Sequence, residues 1–110
     1  MKQLIENSLL LGLAAATLFI TTPNAMASEA IVKKARCVAC HTVDQKRVGP
    51  PYMEVAAKYK GDSKAPAMLF DKVRNGGSGN WGQVPMMPHG ADKISDDDLK
   101  AAISWILALH

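Results

Sequence analysis

Away from its N-terminal segment, the chain places apolar residues at helical spacing and shows no convincing strand alternation. Ile31, Val32, Ala35 and Val38 form one face of a first helix over Glu29–Val38, with Lys33, Lys34 and Arg36 on its basic exposed side. Gly49-Pro50-Pro51 then forces an extended turn, because the residue before a proline is pushed out of the helical region. A short helix over Tyr52–Tyr59 follows and stops at Gly61. Pro66 fits a first helical turn, and Ala67, Leu69, Phe70 and Val73 predict a third helix ending before Asn75-Gly76-Gly77. Residues 76–91 are rich in Gly and Pro, so neither helix nor ladder is expected there, and Gly76 to Gly79 reads as a flexible surface loop. The last helix is the clearest. Ser95 suits an N-cap, with Asp98 placed to reciprocate and Asp96 and Asp97 on the positive end of the helix dipole. Leu99, Ala102, Ile103, Ile106 and Leu107 recur behind it, broadened by Trp105 and Leu109. This helix is expected to pack across the first.

The N-terminal segment has a different logic. Met1 and Lys2 give a weakly basic start, Leu9 to Ile20 is an apolar run of about a dozen residues, and Ala25-Met26-Ala27 is a small-x-small cleavage site. The run falls short of the roughly 20 residues that span a bilayer. Residues 1–27 are therefore expected to be a cleaved secretory signal peptide, leaving 28–110 as one small domain. Lys2 and Glu6 leave together, so the mature charge stays at the +3 of the full chain. That balance is too mild to argue for nucleic acid, and no basic stripe is interleaved with aromatics. Only Tyr52, Tyr59, Phe70, Trp81 and Trp105 supply large aromatic bulk to so short a domain, so its own core is marginal.

Chemistry is concentrated in Cys37-Val38-Ala39-Cys40-His41. Residues three and four apart share a helix face, so Cys37, Cys40 and His41 can address one flat object. Two sulfurs at that separation suit thioether links to the vinyl groups of a porphyrin, and the following imidazole suits its iron. This is the attachment signature of a c-type haem. A redox dithiol would need a βαβ context, and a closed zinc site four ligands, whereas the chain has only these two Cys and His89 and His110 are not spaced as a pair. Haem attachment to a Cys pair is carried out on exported chains, which with the leader places the protein in the bacterial periplasm.

A long irregular segment in a small domain is usually functional or disordered. This one contains Val84-Pro85-Met86-Met87-Pro88, in which prolines on both sides restrict the backbone around two thioethers. A thioether is a soft ligand suited to an iron whose other face is held by imidazole, so one of the two Met residues is expected to bind it.

Four segments taken together are highly specific: Cys-Val-Ala-Cys-His at 37–41, Val-Gly-Pro-Pro-Tyr at 48–52, Trp-Gly-Gln-Val-Pro-Met at 81–86, and the Ser-Asp-Asp-Asp start of the last helix with Trp105. Through them the chain resembles the short bacterial class I cytochromes c, of the cytochrome c-551 type, from about Glu29 to the C-terminus. The resemblance implies an all-α fold of four to five short helices wrapped around one covalently attached haem c, with the N- and C-terminal helices packed together. It selects Met86 over Met87 as the axial ligand opposite His41. It also implies that the Pro50 carbonyl accepts the other imidazole N–H of His41 and that the Trp81 indole N–H binds a haem propionate, with Lys72 and Arg74 as candidate propionate neighbours. Two departures stand out. Relatives often have Gly where this chain has Arg36, and many have Asn where it has His89, for which a loop or solvent role is expected. Tyr52 and Tyr59 read as packing residues.

With His41 and Met86 both bound, an iron has no vacancy for substrate, so an electron carrier is expected rather than an enzyme. The rival is a haem-based ligand sensor or weak peroxidase with a labile Met ligand. Partners are expected to be periplasmic or membrane-bound redox proteins: a donor such as a quinol-oxidising cytochrome complex, and an acceptor such as a nitrite reductase, a cytochrome oxidase or a peroxidase. Lys33, Lys34, Arg36, Lys46 and Arg47 are placed to steer an acidic partner, and the protein is expected to be a monomer. N-terminal sequencing of the exported protein is expected to begin at Ser28; a start at Met1 would refute cleavage.

Overall fold

The computed structural model describes residue 12, residues 14–17 and residues 23–110. The apolar core of the predicted leader, Leu9 to Ile20, lies largely outside the described residues. Among the described residues four α-helices follow in order: α1 (Pro23–Lys34), α2 (Tyr52–Lys58), α3 (Ala65–Asn75) and α4 (Asp96–Leu107), with a 3₁₀ turn at Cys37–Ala39 between α1 and α2. Among the described residues the only strand-like pairing is an isolated antiparallel bridge between Gly77 and Met86. No described helix is long and apolar enough to cross a membrane.

The core is organised by α4, which touches each of the other three helices. Leu99 and Ile103 pack with Ala35 of the α1 terminus and with Ile94, against Leu69, Phe70 and Val73 of α3. Ala102, one position round, packs with Val32 of α1 and Tyr52 of α2. The apolar spacing of the last helix is thus spent on two neighbouring seams, which is why its buried stripe is broad. Its start is fixed locally: the Ser95 hydroxyl accepts from the Asp98 N–H at 3.2 Å, and Asp96, Asp97 and Asp98 occupy the first turn. Among the described residues the Asp98 carboxylate makes no return bond, so the cap is one-sided. Ser28 of α1 is buried and donates to the Ala101 carbonyl at 3.4 Å, whereas Met26 is exposed.

The first helix ends four residues earlier than its periodicity predicts. Arg36 adopts a left-handed conformation, φ 64° and ψ 21°, and is the only described residue other than glycine at positive φ. The chain reverses there, so Val38, apolar in the pattern, is left exposed beside the turn. A left-handed residue just past a helix end is the usual C-terminal stop, and it is most often glycine because a Cβ crowds the carbonyl. Arg36 therefore keeps the geometry of that stop while carrying its steric cost.

The start of α2 is satisfied from outside the helix. Tyr52 N–H bonds the Thr42 carbonyl and Met53 N–H bonds the Val43 carbonyl, both at 2.9 Å, filling two donors that a helix leaves orphaned. These bonds strap the segment after His41 to α2. A left-handed backbone costs a residue with a Cβ about 1–2 kcal/mol, part of which glycine returns through its looser unfolded chain. Arg36→Gly is therefore expected to stabilise the protein by about 0.5–1 kcal/mol, read as a higher denaturant midpoint with an unchanged slope.

Candidate haem site

An open cavity of about 340 Å³, walled mainly by aliphatic side chains, brings Cys37, Cys40, His41 and Met86 together. The first three come from one turn and Met86 from the loop between α3 and α4. The turn is a single 3₁₀ winding rather than the end of a helix, yet it keeps the intended face: the Cys37 carbonyl accepts from both Cys40 N–H at 3.1 Å and His41 N–H at 2.9 Å. The two thiols are not joined to each other, and Cys37 is half-buried while Cys40 is exposed. Burial pushes the Cys37 thiol up, opposed by a backbone hydrogen bond and aided least by the neighbouring Cys40.

His41 is held on several sides. Its Nδ1–H donates to the Pro50 carbonyl at 2.7 Å, which leaves Nε2 as the free lone pair. The Tyr52 ring stacks on it with centroids 5.5 Å apart and planes 18° from parallel, and Trp105 braces Tyr52 edge-on at 5.8 Å. Gly49 makes room: a Cβ there would fall 2.4 Å from the imidazole Cε1. The Tyr52 hydroxyl is buried without a hydrogen-bond partner, and burial, then Cys37, push its phenol above the usual range. Tyr52 is thus more than filler, since it forms one wall of the imidazole's seat.

Met86 is positioned by backbone. Gly77 and Met86 exchange both hydrogen bonds, N–H to carbonyl at 3.0 and 2.9 Å. A Cβ on Gly76 would lie 2.4 Å from the Met86 carbonyl, and Gly76 has φ 67°, so glycine is required on both counts. Within the Gly-rich patch, which runs exposed over Gly77 to Gly79 as expected of a surface loop, Gly77 is also the backbone partner of Met86. A single bridge escaped the sequence reading because one pair has no alternation to detect.

Other expected residues are distributed unevenly. Trp81, 39% exposed, lines the cavity and has the Lys58 ammonium 4.4 Å from its ring centroid; Lys58 also donates to the Asn80 carbonyl at 3.0 Å. Lys72 lines the cavity, but Arg74 does not. Its guanidinium turns to the His89 and Ile94 carbonyls and to Asp96, so its expected place beside a propionate is corrected. His89 lines the cavity with Nδ1–H donating to the Met87 carbonyl at 2.8 Å, and Met87 itself is 68% exposed.

The residues present fit a large flat apolar group with a polar edge. Thiols, imidazole and thioether converge on an aliphatic cavity, and two glycines clear the space that the imidazole and the Met86 backbone occupy. A sequence profile of the cytochrome c family matches residues 25–110. The chain belongs to the cytochrome c family. It is 45% identical over 93 residues to cytochrome c-551 of Allochromatium vinosum, covering 84% of this chain and 97% of that protein. It is 42% identical over 99 residues to cytochrome c-552 of Nitrosomonas europaea, covering 90% and 94%. The crystal structure of Nitrosomonas europaea cytochrome c552 superposes with a TM-score of 0.69 at 44% identity, covering 74% of this chain and 99% of that one.

As a cytochrome c of class I, the protein carries one covalently attached haem c, with Cys37 and Cys40 as the attachment pair. The helical architecture, with no strand among the described residues, agrees with that fold class. In this cytochrome the imidazole seat has no slack on the Gly49 side. Gly49→Ala is expected to displace the His41 ring from Pro50 and to destabilise the holoprotein by about 1–3 kcal/mol, as overpacking does. Denaturant unfolding and the spin-state absorption spectrum of the variant measure both effects.

Proposed function

We propose that this cytochrome is a periplasmic one-electron carrier in which His41 and Met86 are the two axial ligands of the haem iron. The reading rests on one observation: an imidazole fixed by a carbonyl and a thioether fixed by a paired backbone line the same cavity as the attachment cysteines. Bound there, haem c supplies an iron that passes between ferrous and ferric states. The Pro50 carbonyl orients His41 and strengthens it as a donor, while the Met86 thioether favours the reduced state. Trp81 is proposed to donate its indole N–H to a propionate, consistent with its place on the cavity wall.

The cavity supplies little for catalysis. Among the described residues no carboxylate lines it, and His89, its second imidazole, spends Nδ1–H on the Met87 carbonyl. Val48, Val84 and Met87 are exposed at its rim, which suits brief apolar contact with a redox partner through a small interface. We take those partners to be a quinol-oxidising cytochrome complex as donor and a nitrite reductase, cytochrome oxidase or peroxidase as acceptor, met by a monomer. Cleavage after Ala27 is supported by the exposure of Met26 and Ala27 beside the buried Ser28.

Carbon monoxide tests the ligand pair. The reduced wild type is expected to refuse it at neutral pH and the oxidised protein to show the far-red thioether-to-iron band. Met86→Ala is expected to lose the band and bind carbon monoxide rapidly, while Met87→Ala keeps both properties. Rapid binding by the wild type would favour the sensor or peroxidase reading instead.

A further inference from the structure

The Met86 loop is fastened a second time, downstream of the Gly77 pairing, and the fastening depends on one guanidinium. Arg74, in the last turn of α3, donates through Nη1 to the His89 carbonyl at 3.0 Å and to the Ile94 carbonyl at 2.8 Å, and through Nη2 to Asp96 Oδ1 at 2.6 Å. Its side chain is 16% exposed, against 67% for Asp96. The three acceptors belong to the end of the Met86 loop, the approach to α4 and the first residue of α4. A planar fork can satisfy all three at once, and a bond from a charged donor is roughly twice as strong as a neutral one.

The His89 peptide is gripped on both sides: its N–H bonds the Val73 carbonyl at 2.8 Å and its carbonyl takes the Arg74 bond. Between this grip and Met86 stand only Met87 and Pro88, and Pro88 has a fixed φ. The Met86 side chain is therefore positioned by two clasps, the Gly77 pairing on one side and the Arg74 to His89 bond on the other. We infer that Arg74 is a positioning residue for the Met86 ligand: it keeps the thioether committed to the iron from outside the cavity, and without it the Met bond becomes labile. This rests on the His41 and Met86 ligation proposed above.

Holoprotein spectroscopy tests the inference. In Arg74→Gln the far-red thioether band is expected to fall by half or more and carbon monoxide binding to the reduced protein to rise at least tenfold, at a temperature where far-ultraviolet circular dichroism shows the helices intact. Arg74→Lys, which keeps the charge but not the fork, is expected to restore part of the band. Asp96→Asn, which leaves both carbonyl bonds, is expected to change carbon monoxide binding less than twofold. An unchanged band and continued refusal of carbon monoxide in Arg74→Gln would overturn the inference, even with a lowered unfolding midpoint, because a merely structural role moves only the midpoint. Should Arg74→Gln not fold, Arg74→Lys decides: partial band loss supports the inference and a wild-type band overturns it. Absence of the band in the wild type would instead overturn the proposed ligation.

Discussion

The bond from His41 Nδ1–H to the Pro50 carbonyl sets the geometry around which the molecule is arranged. An imidazole can act as a fixed ligand only if its other nitrogen is engaged, since that engagement chooses the tautomer and stops the ring from turning. Making the bond requires the Pro50 peptide to approach the ring closely, and the residue before it must then have no Cβ. The same segment continues into α2, whose first two N–H groups bond carbonyls just after His41. Tyr52, the first residue of that helix, closes the remaining side of the ring. Imidazole, turn and helix start are thus one closed circuit, and moving any member disturbs the others.

Around that circuit α4 acts as the common backing. Its two seams press α1 and α3 together on one side and α1 and α2 on the other, with Cys37 packed partly against both. Aliphatic contact of this kind is nondirectional, so it brings the cavity walls together without saying which atoms face inward. Direction comes from the hydrogen bonds: Pro50 for the imidazole, Gly77 for Met86, and Arg74 for the end of the Met86 loop. The apolar core supplies cohesion and the polar clasps supply aim.

Two arginines show opposite uses of one side chain. Arg36 stands where chain reversal favours glycine, so its backbone bears a cost that its side chain does not relieve through any cap hydrogen bond. Arg74 repays its burial with three acceptors from three segments. Composition counts both as surface charge, and only their backbone angles and partners separate them.

The sequence by itself determined the helical class, the position of the last helix with its Ser95 cap, the packing of the terminal helices and the attachment motif. Each of these is local: apolar spacing, capping chemistry and the Cys-x-x-Cys-His interval all act within a turn or two of helix, or follow from an amphipathic face that needs a partner. The similarity to short class I cytochromes c was legible for the same reason, in contiguous motifs. The tertiary structure alone decided that α1 stops at Arg36, that Gly49 clears the imidazole, that Gly77 pairs with Met86, and that Arg74 turns away from the cavity to hold His89 and Asp96. These are contacts between residues far apart in the chain, or conformations imposed by such contacts, and neither hydrophobic period nor residue type encodes which carbonyl a buried donor will reach.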